Sequence, residues 1–186
     1  MMDKRVYACR LQQRKVPLLI RSRSFRFVWL FRLASSTSKL PVLLRILTWP
    51  IRQIYCILSV VVSTDLPMNT EVSEGLYMPH LGGIVVNKYA VLGKGVYLSH
   101  NVTIGKSHRG RNPGVPKIGN HVFLGPGCVC VGDIRIGNYA VIGPNAVVTK
   151  DVPERAVLIG NPPKIISYDG SFGIAPFAEE KEGALE

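Results

Sequence analysis

The chain has 186 residues, enough for one domain with an extension at a prior of roughly 150 residues per domain. Its net charge of +11 is unevenly placed: residues 1–60 hold twelve Lys and Arg against the single acid Asp3, while residues 61–186 hold eleven of each sign. Basicity without a recognition motif argues against a nucleic-acid partner, and four cysteines with no CxxC or partnered His pattern argue against a metal or redox framework and fit a reducing cytoplasm.

The first element, residues 1–62, is a short, basic, apolar N-terminal segment read as helical. Phe27, Leu30, Phe31 and Ala34 keep the i, i+3, i+4, i+7 spacing of one helical face, with Arg32 on the opposite side. The stretch from Leu40 to Val62 is more apolar, but Arg45, Pro50 and Arg52 interrupt it, whereas a bilayer needs about 20 consecutive apolar residues. A spanning helix is therefore rejected, and so is a secretory signal, since arginines break the apolar region. Two readings stay open. The helices cap the end of the following domain and help assemble subunits, or a basic, aromatic-bearing segment rests on an anionic membrane face.

Residues 63–168 carry a repeat. Leu66, Val72 and Met78 begin it, and Val86, Leu92, Leu98, Ile104, Ile118, Leu124, Cys130, Ile136, Ile142 and Val148 continue it, six apart except at two interruptions. Gly follows six of the ten anchors from Val86 on, and Gly95, Gly127, Asn120, Asn138 and Asn145 supply residues suited to a positive φ or a tight turn. Small or branched residues such as Ala90, Val96, Cys128 and Ala146 stand two places before the next anchor. In a strand the two share a face. Two inward residues per six predict an all-β solenoid, a parallel β-helix of hexapeptide repeats with three hexads to a triangular coil. Cys128 and Cys130 then take inward places as small hydrophobes.

The interruptions hold the candidate chemistry. Between Met78 and Val86 the spacing widens to eight, with His80, Gly82 and Gly83 inside it. Between Ile104 and Ile118 a loop, residues 106–116, must leave the coil; Lys106, His108, Arg109 and Arg111 make it basic and a candidate binding face. His80 and His100 each follow an anchor by two places, and those anchors are three hexads apart once the insertion is discounted. They therefore stack on one edge, in coils about 4.8 Å apart. Pro153, Pro162 and Pro163 suit a terminating coil, and the tail, residues 169–186, is expected to be mobile.

The block from Asp65 to Ile166, through HLGGIVVN, NVTIG, VPKIGNHVFLGPG, IGNYAVIGPNAVVTKDVP and IGNPPKII, resembles the hexapeptide-repeat acyltransferases. Within them it is most similar to serine acetyltransferase and to the related O-acetyltransferases of bacterial surface-polysaccharide synthesis. The resemblance implies a left-handed coil and a homotrimer with acetyl-CoA between neighbouring solenoids. It places His80 as catalytic base and Asp65 as the carboxylate that orients it. A serine or sugar hydroxyl must lose its proton as it attacks a thioester, and a histidine titrating near neutral pH can take it. Gly105, Gly125 and Gly143 fall along the family's CoA groove, with Lys106, Lys150 and Lys164 toward the CoA phosphates and His108, Arg109 and Arg111 on a substrate loop. No metal is expected.

Serine acetyltransferases carry an Asp just before the catalytic His and a second His just before PKI; here these are Pro79 and Val115. These departures favour a saccharide hydroxyl as acceptor, for a cytoplasmic enzyme whose N-terminal segment either caps the solenoid or rests on the inner membrane face. L-serine O-acetylation is the alternative, and a non-catalytic solenoid scaffold the second. His100, where the family usually has Gln, or His108 is the candidate for the missing second imidazole. A zinc carbonic anhydrase built on the same solenoid is disfavoured, because His80, His100, His108 and His121 lack the spacing of its ligands.

Overall fold

A residue inward at every sixth position can be satisfied only if each coil lies directly on the last, and the backbone does this. The computed structural model describes residues 22–38, 40–110 and 112–174. Its strands, numbered in chain order, are two to four residues long and stack into three faces. Face I holds β1 (Thr64–Asp65), β3 (Ile84–Val86), β6 (Thr103–Gly105), β9 (Val129–Val131) and β12 (Val147–Val148). Face II holds β2 (Glu71–Val72), β4 (Val91–Leu92), β7 (Lys117–Ile118) and β10 (Arg135–Ile136). Face III holds β5 (Tyr97–Leu98), β8 (Phe123–Leu124), β11 (Val141–Ile142), β13 (Val157–Ile159) and β14 (Lys164–Ser167).

All neighbours are parallel except β13 and β14, where the chain turns back and closes the last coil. Val85 lies beside Thr103 and Val129 beside Val147, eighteen residues on each time. Thr64 meets Ile84 twenty residues on, and Thr103 meets Val129 twenty-six on, so the two interruptions add two and eight residues without disturbing the stack. Rung-to-rung bonds such as Val85 N–H to the Val102 carbonyl (2.9 Å) and Thr103 N–H to that of Cys128 (3.0 Å) run through it.

The ten anchors from Val86 to Val148 are buried, as are Ala90, Val96, Val102, Val122, Cys128, Ile134, Ala140, Ala146 and Val152 two places before the next. The Cys130 thiol is pushed up by its hydrogen bond with Cys128 and by burial. Held protonated, it acts as core. The bends differ in one place from the expectation: after the anchors Leu92, Leu98, Ile118, Leu124, Ile136 and Ile142 of faces II and III the residue with positive φ is the third on, at Gly95, Asn101, His121, Gly127, Tyr139 and Asn145. Asn120 and Asn138, one place earlier, instead accept the backbone N–H of Lys94 and Asn120 through their side chains, both at 2.8 Å, tying one coil to the next.

Among the described residues three helices precede the solenoid: α1 (Arg23–Ser38), α2 (Val42–Leu47) and α3 (Trp49–Val61). Phe27, Phe31 and Ala34 of α1 are buried and Leu30 packs partly against the core, as the spacing predicts. Val28, expected off that face, is buried as well, because α1 packs on α3, where Tyr55 meets Phe27 and Phe31, and also on the first coil. Arg32 is likewise not on a free outer side: its guanidinium donates to the carbonyls of Val72 and Ser73. The apolar side chains of α1 and α3 continue the solenoid core and cap its first coil.

The end of the chain also departs from expectation. Residues 169–174 fold onto the solenoid: Ser171 is buried, its N–H bonds the Tyr139 carbonyl (2.9 Å), its hydroxyl donates to that of His121 (2.6 Å), and the rings of His121, Tyr139 and Phe172 stack in turn at 5.0 Å. The rest of the tail expected to be mobile, residues 175–186, lies outside the described residues.

Coil contact decides the glycine at 125, where an added Cβ would stand 2.7 Å from the Ile142 carbonyl oxygen. Gly125→Ala must push two coils apart and is expected to destabilise by about 1–3 kcal/mol. Thermal unfolding of the variant beside wild type checks this; an unchanged Tm would refute it.

Candidate active site

The corner from face III to face I carries the two imidazoles. His80 follows Met78 and His100 follows Leu98, both anchors fully buried, so backbone stacking aims the residues two places on along the same edge. The rings lie 6.1 Å apart between centroids, edge to face at 82°. His80 is exposed and His100 half-buried.

The residues around His80 are pinned on three sides. The Ser24 hydroxyl of α1 donates to the Pro79 carbonyl (3.2 Å), the Gly82 N–H donates to the Thr64 hydroxyl (3.2 Å), and the Asn101 N–H donates to the Gly82 carbonyl (2.9 Å). Gly83 has φ +65°, and a Cβ there would collide with the Asn101 side chain at 1.9 Å. The two added residues thus form a rigid bulge that presents His80. Sequence reasoning missed Ser24, Thr64 and Asn101 as supports; only Asn101 left a signal, an Asn at the third place after an anchor.

Asp65 ends β1 on the outer side of face I, level with Val85, and is exposed. No hydrogen bond joins it to His80 in this structure. Its neighbour Leu66 is tied down by Tyr55 of α3, whose hydroxyl donates to the Leu66 carbonyl. Burial, with the charge of Asp65 adding to it, pushes the Tyr55 phenol far above the usual tyrosine range.

The opposite edge of face I is cationic. Lys88, Lys106 and Lys150 each stand two places after the stacked anchors Val86, Ile104 and Val148. The 106–116 loop leaves here, closed by paired backbone bonds between Ser107 and Gly114 (2.9 and 3.0 Å) and laid on the next coil by the Asp133 N–H to the Asn112 carbonyl (3.0 Å). Between loop and coil lies a cleft of about 470 Å³, where Arg109 and Lys150 meet the hydroxyl-bearing Ser107 and Thr149. The structure thus brings to one cleft two predicted cations that are forty-one residues apart in sequence.

It separates others. Lys164 sits on β14 in face III, away from Lys150, and exposed His108 stands on the loop at the far edge from His80. Gly105 lies in β6 with the Val131 side chain 3.1 Å from a Cβ position, while Gly125 and Gly143 face backbone carbonyls of the next coil, so coil contact already accounts for these two. Arg111 lies outside the described residues. The four histidines occupy three different edges, His121 being stacked on Tyr139.

Residues 116–150 match the family model of the bacterial transferase hexapeptide, six repeats. The chain is 40% identical over 111 residues to probable serine acetyltransferase 2 of Oryza sativa subsp. japonica, covering 60% of this chain and 31% of that protein. It is 39% identical over 104 residues to the chloroplastic serine acetyltransferase 1 of Arabidopsis thaliana, covering 56% and 33%. The chain therefore spans about a third of the length of these curated relatives. Among solved structures it resembles a Neisseria gonorrhoeae serine acetyltransferase in complex with serine, at a TM-score of 0.70 and 27% identity over 89% of this chain and 66% of that one. A serine acetyltransferase in complex with cysteine superposes at 0.71 with 25% identity over 89% and 68%.

The fold is accordingly a left-handed parallel β-helix. These findings overturn the saccharide acceptor and the surface-polysaccharide branch, since the relatives and the solved structures are serine acetyltransferases. Pro79 and Val115 misled because a missing side chain says what is absent, not what takes over its work.

Tyr55 supplies a test of how β1 is held. Its folded pKa lies above the unfolded value of about 10, so the folded state keeps the proton more tightly, and the stabilisation is complete below about pH 10 and lost as pH rises through that range. Tyr55→Phe is expected to cost about 1 kcal/mol at neutral pH through the lost bond to Leu66. Its deficit against wild type should shrink above about pH 10, as thermal melts from neutral to about pH 11 would show.

Proposed function

We propose that the chain is an acetyl-CoA-dependent O-acetyltransferase whose acceptor is the hydroxyl of L-serine. The observation that carries the reading is His80, held on a rigid bulge with a second imidazole beside it, at one edge of a face whose other edge is lined by cations. The likeness to serine acetyltransferases supports the acceptor.

In this reading His80 takes the proton from the serine hydroxyl as its oxygen attacks the thioester carbonyl. The tetrahedral adduct collapses with cleavage of the carbon–sulfur bond, and His80 returns the proton to the leaving CoA sulfur, so the products are O-acetylserine and free CoA. Asp65 is proposed to accept from the other ring nitrogen and fix the tautomer. His100 is proposed to stand in for the imidazole that Val115 lacks. Lys106, Arg109 and Lys150 are proposed to take the CoA phosphates, the charge-assisted contacts that suit them, and Gly105 lets the pantetheine arm approach. The working unit is proposed to be a homotrimer in the cytoplasm, where Cys128 and Cys130 stay reduced.

Release of the CoA thiol from acetyl-CoA with L-serine as sole acceptor tests the reading. Wild type is expected to turn over and His80→Ala to lose about 10²- to 10⁴-fold in kcat. Failure of serine to drive release would sink it. His100→Ala is expected to lower kcat/KM for serine more than His108→Ala does, and equal rates in the two variants would remove His100 from the mechanism.

A further inference from the structure

The six residues of α2, VLLRIL, bury nothing. Leu43 is 80% exposed, and Leu47 and Trp49 continue the same uncovered surface. On α3, Tyr55 turns inward while Ile54, Ile57 and Val60 point out, Val60 at 79%. The solenoid core takes the inner side of α3 and leaves its outer side and all of α2 bare. An apolar surface of this size on a protein in water marks a contact site.

Charge decides between occupants. Arg45 lies within the bare surface and Arg52 beside it, and from Lys4 to Thr64 the chain has no acid at all. A second copy would bring the same arginines to a drying interface with no carboxylate to pair them, and an unpaired charge taken out of water is strongly unfavourable. A layer of anionic lipid covers the apolar side chains and supplies the counter-charge, with arginine stems lying along the boundary and heads reaching phosphates. Among the described residues no helix is long and apolar enough to cross a membrane, so the segment lies in the interface plane, where Trp49 also fits.

We infer that the outer surface of α2 and α3 docks the protein on an anionic lipid bilayer. This goes beyond the acyl transfer proposed above and does not depend on it. The test is co-sedimentation of the full chain with vesicles of phosphatidylcholine alone and of phosphatidylcholine with phosphatidylglycerol in equal parts. Binding is expected at least ten-fold stronger on the anionic vesicles and weakened by added salt. Arg45→Glu should reduce it by about five-fold or more, each basic residue near such a surface contributing about that factor. Leu43→Ser with Leu47→Ser should abolish it while circular dichroism stays as in wild type, since α2 buries no side chain of the fold. Equal binding to both vesicle types, or none to either, overturns the proposal. So does a salt-independent oligomer that the Leu43→Ser, Leu47→Ser variant dissolves without wild type ever pelleting, which would assign the surface to a second copy.

Discussion

Each coil of this protein hydrogen-bonds to the next through strands of only two to four residues, so no strand can stand without the coil above and the coil below it. The chain must therefore return to the same place after eighteen residues, and every inward side chain must fill the triangular interior without a void. That requirement sets the anchors, the small residues two places before them, the glycines where a carbonyl of the next coil comes within 3 Å, and the left-handed bend at the third place after the anchors of faces II and III. Arg32, Asn120 and Asn138 serve it from outside, giving their donors and acceptors to backbone groups that would otherwise lack a partner.

The candidate site lies where the return is delayed. Two added residues after Met78 form the bulge that exposes His80, and eight after Ile104 form the loop that carries Arg109 over Lys150. Because the coils on either side stay in register, the additions alter the outside without loosening the inside. The site gains rigidity from the scaffold, as when Asn101 and Thr64 bond both sides of Gly82.

The two ends of the solenoid are open, and they are closed differently. At the start, α1 and α3 extend the core with Phe27, Phe31 and Tyr55. At the finish, β14 reverses direction and the chain then returns along one edge, where Phe172 completes a column with His121 and Tyr139. The first closure leaves a bare apolar surface with arginines, because a helix has two sides and the first coil covers only one.

Sequence alone determined the coil, since a period of six repeated from Val86 to Val148 leaves one way to pair short strands, and counting hexads was enough to make His80 and His100 neighbours. It determined the two irregular places that hold the candidate site. It did not show that Asp65 would stand on the outer side of β1 without a bond to His80, that Lys164 would leave the cationic edge, that Arg32 would turn inward, or that residues 169–174 would pack. Those depend on contacts between parts of the chain far apart in sequence and with no period of their own. A repeat carries its geometry in its spacing, whereas a single side chain finds its partner only after the backbone has placed both.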